Sequence, residues 1–176
     1  MKMRIQALGV GIFLMTLAVF SYQLELFAVT PPVVSIIRAS VNNNGEAGNR
    51  GGGAVFATQN NVDISGNGKV VAFYSWSSNL VISDSNKSAD IFIRDLNTNL
   101  TERVSVSSLQ AETNDFSYFP SLSYDGRYVA FTSRANNLVS DDTNGVDDIF
   151  VHDRVNHSTR RISLPSGGSH ANAESS

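Results

Sequence analysis

The sequence predicts an all-β fold made of two tandem four-stranded antiparallel sheets, because it contains an internal repeat and because the repeat has strand patterns but no helical ones. Residues 64–108 align without a gap to residues 122–166 at a constant offset of 58 (122 − 64 = 58), and nineteen of the 45 aligned positions are identical. A repeat of this length is typical of one supersecondary unit stacked on its neighbours.

Each repeat contains four predicted strands, separated by turns and loops rich in Gly, Asn and Asp. The predicted strands are 62–65, 69–76, 90–94 and 101–106 in the first repeat, and 120–123, 127–133, 148–152 and 159–164 in the second. The turn after the first strand has Gly68 in one repeat and Gly126 in the other, where a positive φ costs little.

The strands are apolar on consecutive residues, as in 70–73 and 91–93 and in their repeats 128–131 and 149–151. A strand with one wet face would alternate apolar and polar residues, so both faces of these sheets are expected to be covered. A small sheet covered on both faces and repeated along the chain is typical of a β-propeller blade. The aromatic side chains predicted to fill the core between the blades are Phe73, Phe92, Phe131 and Phe150.

The N-terminal residues 1–28 have the pattern of a signal peptide. Lys2 and Arg4 precede an uncharged apolar run at 7–20, which is shorter than the roughly 20 residues that span a bilayer. We expect cleavage and a secreted or periplasmic protein without a stable membrane span; the alternative is an uncleaved anchor.

The remaining chain divides into four parts by composition and repeat. They are a spacer with a leading β-rich strand at 33–41 and a Gly/Asn-rich connector (29–53), the first repeat (54–108), the second repeat (109–166) and the truncated start of a further repeat (167–176). Propellers need four to eight blades, so these parts predict an incomplete ring. The chain is accordingly interpreted as a fragment of a longer propeller whose outer faces associate.

Composition excludes several classes of function. The formal net charge is −3 and no basic stripe is present, which disfavours nucleic acid as a partner, since phosphate neutralisation supplies most of that affinity. The chain has no cysteine, so neither disulfides nor thiolate metal sites hold the fold.

The repeats resemble the WD40-like (PD40) β-propeller repeat of the TolB family. The second repeat carries the pattern as SYDGRYVAFTS, SDDTNG and DDIFVHD. The first departs from it, with Asn67 in place of Asp125 and Lys87 in place of Gly145. The resemblance implies a propeller fold; such propellers serve as scaffolds, lyases and caps on hydrolases, so it does not fix a function.

The acidic loop 141–148 (DDTNGVDD) is a candidate Ca²⁺ site, with Asp142, Asn144 and Asp148 as ligands. Clustered carboxylates and an amide around a glycine turn suit a hard cation that takes six to eight oxygens.

The alternative is that these residues cap turns through their own backbone. As an EF-hand the register fails, because Val151 falls where a bidentate Glu is needed when Gly145 is at the turn position. In the first repeat Ala89 replaces Asp147 and Lys87 adds a positive charge, so we expect no calcium effect on stability.

No catalytic group or cofactor site is predicted. Asp90 and Asp148, which precede the third strands, and Asp95 and Asp153, which end them, recur in both repeats, which favours structure over acid–base catalysis. His152, His157 and His170 have no metal-ligand spacing, and Ser169 is not in a Gly-x-Ser-x-Gly elbow.

The aromatic residues offer a possible sugar-stacking surface, for which packing is the favoured alternative. They are Tyr74, Trp76, Phe116, Tyr118 and Phe119. The sequence as a whole predicts an exported propeller module that binds a protein partner in the cell envelope or outside the cell. The alternative is the propeller portion of an extracellular polysaccharide lyase or hydrolase.

Overall fold

The computed structural model describes residues 35–50 and 61–164, which contain two four-stranded antiparallel sheets. Blade 1 consists of β1 (Val62–Ile64), β2 (Val70–Ser75), β3 (Asp90–Asp95) and β4 (Leu100–Arg103); blade 2 consists of β5 (Ser117–Leu122), β6 (Tyr128–Ser133), β7 (Asp148–Asp153) and β8 (Ser158–Arg161). The strands of each sheet lie side by side in sequence order. The predicted fold class, all-β propeller blades in an open arrangement, is confirmed.

Several segments predicted from the sequence lie wholly or partly outside the described residues. The signal peptide 1–28 and the tail 167–176 lie outside the described residues, as does part of the spacer 29–53. Within the leading run 33–41, the described residues form no strand but an isolated bridge from Val41 to Ala47. Within the described ranges no helix is long and apolar enough to cross a membrane.

The strand boundaries differ from the predicted ones by three residues at one end of three strands, and by at most one residue elsewhere. β4 and β8 end three residues early, because the chain there turns into a connector; Val106 bridges Glu112 instead of continuing the ladder. β5 begins at Ser117, three residues before the predicted start, and its register shifts between Tyr118 and Ser121. Phe119 has a φ of 56° at this shift, and the irregularity has the form of a β-bulge.

Each blade has a leading and a trailing face, which follow from the alternation of side chains along its strands. In blade 1 the leading face carries Phe73 and Phe92, and the trailing face carries Ala72, Ile91 and Ile93. The trailing face of blade 1 packs on the leading face of blade 2, which presents Val129, Phe131 and Phe150. These side chains are all essentially inaccessible to solvent, so the main core is the junction between the blades.

The prediction that all four phenylalanines lie between the two blades was wrong for one pair. The rings stack at 5.9 Å in both blades, Phe73 on Phe92 and Phe131 on Phe150, but Phe73 and Phe92 form a separate cluster with Leu80. The register of the middle strands is the same in both sheets. Each pair therefore faces back along the chain. Within the described residues only the pair in blade 2 has a blade in front of it, although Phe73 and Phe92 are buried as well.

We predict that Phe131→Ala lowers the free energy of unfolding by about 3–5 kcal/mol, since it removes a fully buried ring and leaves a cavity at the junction. Urea denaturation of the purified chain measures this value. Phe131→Leu keeps most of the volume and should cost clearly less. An unchanged transition in Phe131→Ala would contradict the packing of the two blades.

Candidate functional site

The three predicted calcium ligands come together at the start of β7, where the guanidinium of Arg161 lies among them. Nη1 of Arg161 lies 3.1 Å from Oδ1 of Asp142 and 3.2 Å from Oδ2 of Asp148. Asn144 donates from Nδ2 to the same Asp148 oxygen at 2.9 Å. The acidic loop thus surrounds an organic cation that β8 supplies.

The other oxygen of Asp148 is engaged by Ser163. The Ser163 hydroxyl donates to Oδ1 at 2.5 Å and accepts from the backbone N–H of Ile149 at 3.1 Å. Asp148 therefore ties the start of β7 to the end of β8, and its charge is compensated where it is buried, as a buried carboxylate requires.

The same arrangement occurs in blade 1 at the repeat offset. The carboxylate of Asp90 lies 3.4 Å from Nη1 of Arg103. It accepts hydrogen bonds from Nδ2 of Asn86 at 2.9 Å and from the Ser105 hydroxyl at 2.6 Å. Arg103 also lies 3.4 Å from Asp84. We call the two sets the polar clusters, which consist of Asp84, Asn86, Asp90, Arg103 and Ser105 in blade 1 and of Asp142, Asn144, Asp148, Arg161 and Ser163 in blade 2.

The polar cluster of blade 1 also takes up side chains from the connector that leads into blade 2. Glu112 lies 3.0 Å from Arg103, and Thr113 donates to Asp90 at 2.8 Å. The cluster therefore fixes the connector as well as the edge of its own sheet. The equivalent positions for blade 2, 170 and 171, lie outside the described residues.

Burial, together with neighbouring carboxylates, raises the pKa of Asp84 to about 6. Burial is the largest cause, and the neighbouring charge of Asp90 adds to it, whereas Arg103 acts in the opposite direction. Glu112 adds a further, smaller repulsion.

A second repeated contact set, which sequence reasoning missed, lies along the edge strands. The hydroxyl of Thr101 in β4 donates to the Val41 carbonyl at 2.5 Å, and that of Thr159 in β8 donates to the Val106 carbonyl at 2.5 Å. The backbone N–H of Thr101 donates to Oδ1 of Asn43 at 2.6 Å, and that of Thr159 donates to the Ser108 hydroxyl oxygen at 2.9 Å. Each connector thus covers the outer edge of the blade that follows it, which protects an otherwise unpaired strand.

This contact set was missed because the connectors repeat at 65 residues (106 − 41 = 65) and not at 58. A gapless alignment at 58 does not include the first connector. The signal that was present is the Arg-x-Ser pair Arg38/Ser40, which precedes Arg103/Ser105 by the same 65 residues.

Two of the remaining candidate groups, Asp153 and His152, have structural partners. Asp153 is bonded by both arms of Arg127, at 2.9 and 2.7 Å, which holds the pKa of its carboxyl far below the usual range. His152 is buried with Nδ1 2.8 Å from the Thr159 hydroxyl, and burial lowers the pKa of its ring. His157 lies at a turn with a φ of 51°, and His170 and Ser169 are outside the described residues.

The aromatic residues lie at the connector end of the blades, where the β2–β3 and β6–β7 loops and the connectors meet. Tyr74 is buried in the junction and accepts a hydrogen bond from the indole of Trp76. Trp76 and Phe116 are in contact, with ring centroids 5.3 Å apart, and Phe116 is exposed. Tyr118 donates to Asp147 and packs edge-on against Phe119 at 4.6 Å.

Within 35–50 and 61–164, no group of three or more His, Asp or Glu side chains is arranged to hold a metal ion. The guanidinium of Arg161 would repel a divalent cation placed beside Asp142 and Asp148. Calcium binding by the loop 141–148 therefore stays a prediction, and we expect the ion to have no effect on stability.

No family model matches this chain, and no curated protein matches it. Among solved structures it is similar to a TolB protein from Agrobacterium tumefaciens, at 17% identity and a TM-score of 0.37 over 57% of this chain and 31% of that one. It is also similar to TolB from Acinetobacter baumannii, at 24% identity and a TM-score of 0.37 over 61% of this chain and 21% of that one. The chain spans about a third and about a fifth of these proteins, which are of the family whose repeat the sequence resembles.

We predict that Ca²⁺ leaves the melting temperature of the chain unchanged, because Arg161 already neutralises Asp142 and Asp148. A bound ion would stabilise the native state by about 2.7 kcal/mol at a hundredfold excess over its Kd. Differential scanning calorimetry with Ca²⁺ and with EDTA measures the shift. An increase with Ca²⁺ that Asp142→Ala abolishes would establish the loop as a site.

We predict that Asp84→Asn stabilises the chain at pH 7.5 and that its advantage shrinks as the pH falls below 6. The pKa of Asp84 is about 6 in the native state against 3.8 for the unperturbed group, so the native state binds the extra proton between these values. Stability from this proton is full below pH 3.8 and is lost as the pH rises through 6.

Urea denaturation at several pH values measures the difference between Asp84→Asn and the parent. Asp115→Asn removes a partly exposed carboxylate and controls for the change of net charge. A constant difference across the pH series would contradict the assignment to Asp84.

Proposed function

We propose that this chain is an exported β-propeller module that acts by binding a protein partner in the cell envelope or outside the cell, without chemistry of its own. Its contact surface is the connector end of the blades, centred on Trp76 and Phe116. The observation that carries the proposal is the exposed side chain of Phe116. The backbone around it is held by hydrogen bonds, and the nearby carboxylates of Asp90 and Asp148 form ion pairs and hydrogen bonds within their own blades.

The acidic residues at the connector end support a binding role over a catalytic one. Asp90 and Asp148 each bond an arginine, an asparagine and a serine hydroxyl of their own blade. A general acid or base needs a proton-transfer atom that can reach a substrate. Both oxygens of each carboxylate are occupied by the sheet instead.

The frame around Phe116 is held on both sides. The Phe116 carbonyl accepts from the Arg134 N–H and from the Ser133 hydroxyl, each at 3.0 Å. Two residues earlier, the backbone N–H of Asn114 donates to Oδ1 of Asn137 at 3.1 Å, and its side-chain Nδ2 donates to Oδ1 of Asn136 at 2.7 Å. The backbone at Phe116 is therefore ordered before a partner binds. Binding costs less conformational entropy at this position, which favours affinity.

The composition of this surface fits a protein partner. Aromatic side chains are enriched at the centres of protein interfaces, with polar groups around them. Here the ring of Phe116 stands beside Trp76, and Asn114, two residues before Phe116, bonds Asn136.

We predict that a photo-reactive phenylalanine analogue at position 116 forms a cross-link to a discrete protein in the cells that produce this chain. The same analogue at Val155, which is exposed at the opposite end of blade 2, is the matched control and should give no such adduct. Gel mobility and mass spectrometry identify the product. Equal labelling from both positions, or none from position 116, would contradict the proposed surface.

A further inference from the structure

We propose that Asn144 is a site of spontaneous deamidation, at which the loop between β6 and β7 converts to an aspartyl or isoaspartyl form and the polar cluster of blade 2 is weakened. This inference goes beyond the proposed binding role, since it concerns a covalent change of the chain itself. It rests on the neighbouring Gly145, on the hydrogen bonds of the loop and on a matched loop in blade 1.

Deamidation of asparagine, a thermolabile residue, is a reaction between its side chain and the next peptide group. The backbone nitrogen of Gly145 loses its proton and attacks Cγ of Asn144. The new N–Cγ bond closes a succinimide ring, the Cγ–Nδ2 bond breaks, and the side-chain nitrogen takes up a proton and leaves as ammonia. One water molecule then opens the ring. Cleavage of the new N–Cγ bond gives aspartate, and cleavage of the original peptide bond gives isoaspartate, in which the chain runs through Cγ.

The sequence contains three Asn-Gly pairs, which begin at Asn44, Asn67 and Asn144. Glycine favours the attack because it has no Cβ to crowd the ring and leaves the backbone the most freedom. In all three pairs the glycine has a positive φ, and a Cβ built on it meets no described atom within 4 Å. Access to the glycine therefore does not distinguish the three pairs.

The backbone N–H of the glycine does distinguish them. Gly45 donates to the Asn42 carbonyl at 3.0 Å and Gly68 donates to the Ser65 carbonyl at 2.8 Å, so attack at either place first breaks a hydrogen bond of a turn. The N–H of Gly145 makes no backbone hydrogen bond to another described residue, and Gly145 is exposed. Its nitrogen is therefore available for reaction in the native fold.

The side chain of Asn144 is held so that its carbonyl is polarised. Oδ1 accepts a hydrogen bond from the backbone N–H of Val146 at 3.3 Å, and Nδ2 donates to Oδ2 of Asp148 at 2.9 Å. A hydrogen bond to Oδ1 stabilises the negative charge that develops on this oxygen when the nitrogen attacks Cγ. The loop thus supplies both a free nucleophile and a donor for the oxygen of the amide.

Blade 1 has the same loop with a different residue after the asparagine. Asn86 donates to Asp90 at 2.9 Å and accepts from the backbone N–H of Ser88 at 2.9 Å, as its counterpart does in blade 2. Lys87 stands in place of Gly145 with nearly the same backbone conformation, at a φ of 60° against 68°. The lysine side chain crowds the backbone nitrogen, so the asparagine of blade 1 should persist where that of blade 2 converts.

Conversion of Asn144 to aspartate replaces a hydrogen-bond donor by a carboxylate within the polar cluster of blade 2. The new carboxylate would lie against Oδ2 of Asp148, while Nη1 of Arg161 already has Asp142 as a second carboxylate partner at 3.1 Å. Like charges in contact repel each other, and the lost hydrogen bond adds to the cost. Isoaspartate also lengthens the backbone of the loop. Both products should therefore loosen the start of β7.

The experiment is a time course on the purified full-length chain at neutral pH. Peptide mapping by mass spectrometry measures the asparagine that remains at each site, and enzymatic methylation of isoaspartate detects the product. We expect Asn144 to convert about five- to tenfold faster than Asn44 and Asn67, the factor that corresponds to one backbone hydrogen bond. In urea, which removes the turns, the three pairs should convert at similar rates.

Exchange of the residue after the asparagine provides matched variants. Gly145→Lys gives blade 2 the residue of blade 1 and should protect Asn144 to the level of Asn86 in the parent chain. Lys87→Gly makes the reciprocal change and should cause Asn86 to convert.

Asn144→Asp imitates one product and should lower the melting temperature. Asn67→Asp adds the same charge but gives the turn of blade 1 the residue that blade 2 has at Asp125, so it should melt close to the parent. The proposal is overturned if Asn144 in the native chain converts no faster than Asn44 and Asn67. It is also overturned if Asn86 stays intact in Lys87→Gly, or if Asn144→Asp melts like the parent.

Discussion

The structure depends on one constraint: a four-stranded sheet that is apolar on both faces needs a neighbour on each side. In blade 1, β2 and β3 alternate Phe73 and Phe92 with Ala72, Ile91 and Ile93, so neither face is suited to water. Blade 2 satisfies the trailing face of blade 1, and that junction excludes solvent almost completely. Apolar burial of this kind is the main favourable term in folding and is proportional to the area covered. The leading face of blade 1 is buried as well, at Phe73, Leu80 and Phe92, although no blade among the described residues lies in front of it.

The polar clusters and the connectors hold the ends and outer edges of the sheets, which the apolar faces do not stabilise. Without disulfides, the ends and outer edges of the sheets must be held by hydrogen bonds and ion pairs. Arg103 and Arg161 each neutralise carboxylates that lie at the start of a neighbouring strand, and removing one partner would leave an uncompensated charge. This mutual dependence explains why all five members of each cluster are identical in the two repeats. The connectors then cover Thr101 and Thr159 on the edge strands.

The sequence was informative about the fold because strands and blades leave local patterns. Consecutive apolar residues such as 70–73 predicted sheets covered on both sides, and the repeat at 58 placed all eight strands. The bulge at Phe119 and the early ends of β4 and β8 left no such pattern, since they depend on how the connectors pack. The difference between Phe73 and Phe131 was not predictable from either residue. Both follow the same Val-Ala dipeptide, and the neighbouring blade is what places Phe131 and not Phe73 at the junction.

The site was harder to predict than the fold because its decisive residue is distant in sequence. Read along the chain, Asp142, Asn144 and Asp148 form an acidic loop that suits a cation. The pairing of β7 with β8 brings Arg161 into that loop, 13 residues after Asp148, and a guanidinium changes its chemistry. A local motif could not show this, whereas the recurrence of Arg103 and Asp90 in the first repeat was the available clue. A charged pair that recurs with every blade belongs to the architecture.

The outer face of blade 2 is neither fully apolar nor fully polar. Ile149, Val151 and Ile162 keep the surface of a blade junction, but Asp147 stands where blade 1 has the buried Ala89. Asp147 accepts a hydrogen bond from Tyr118, so its charge is accompanied when a neighbour approaches. Large exposed apolar patches promote aggregation, and charged residues within them limit it. The carboxylate of Asp147 therefore limits the apolar character of this partly exposed face.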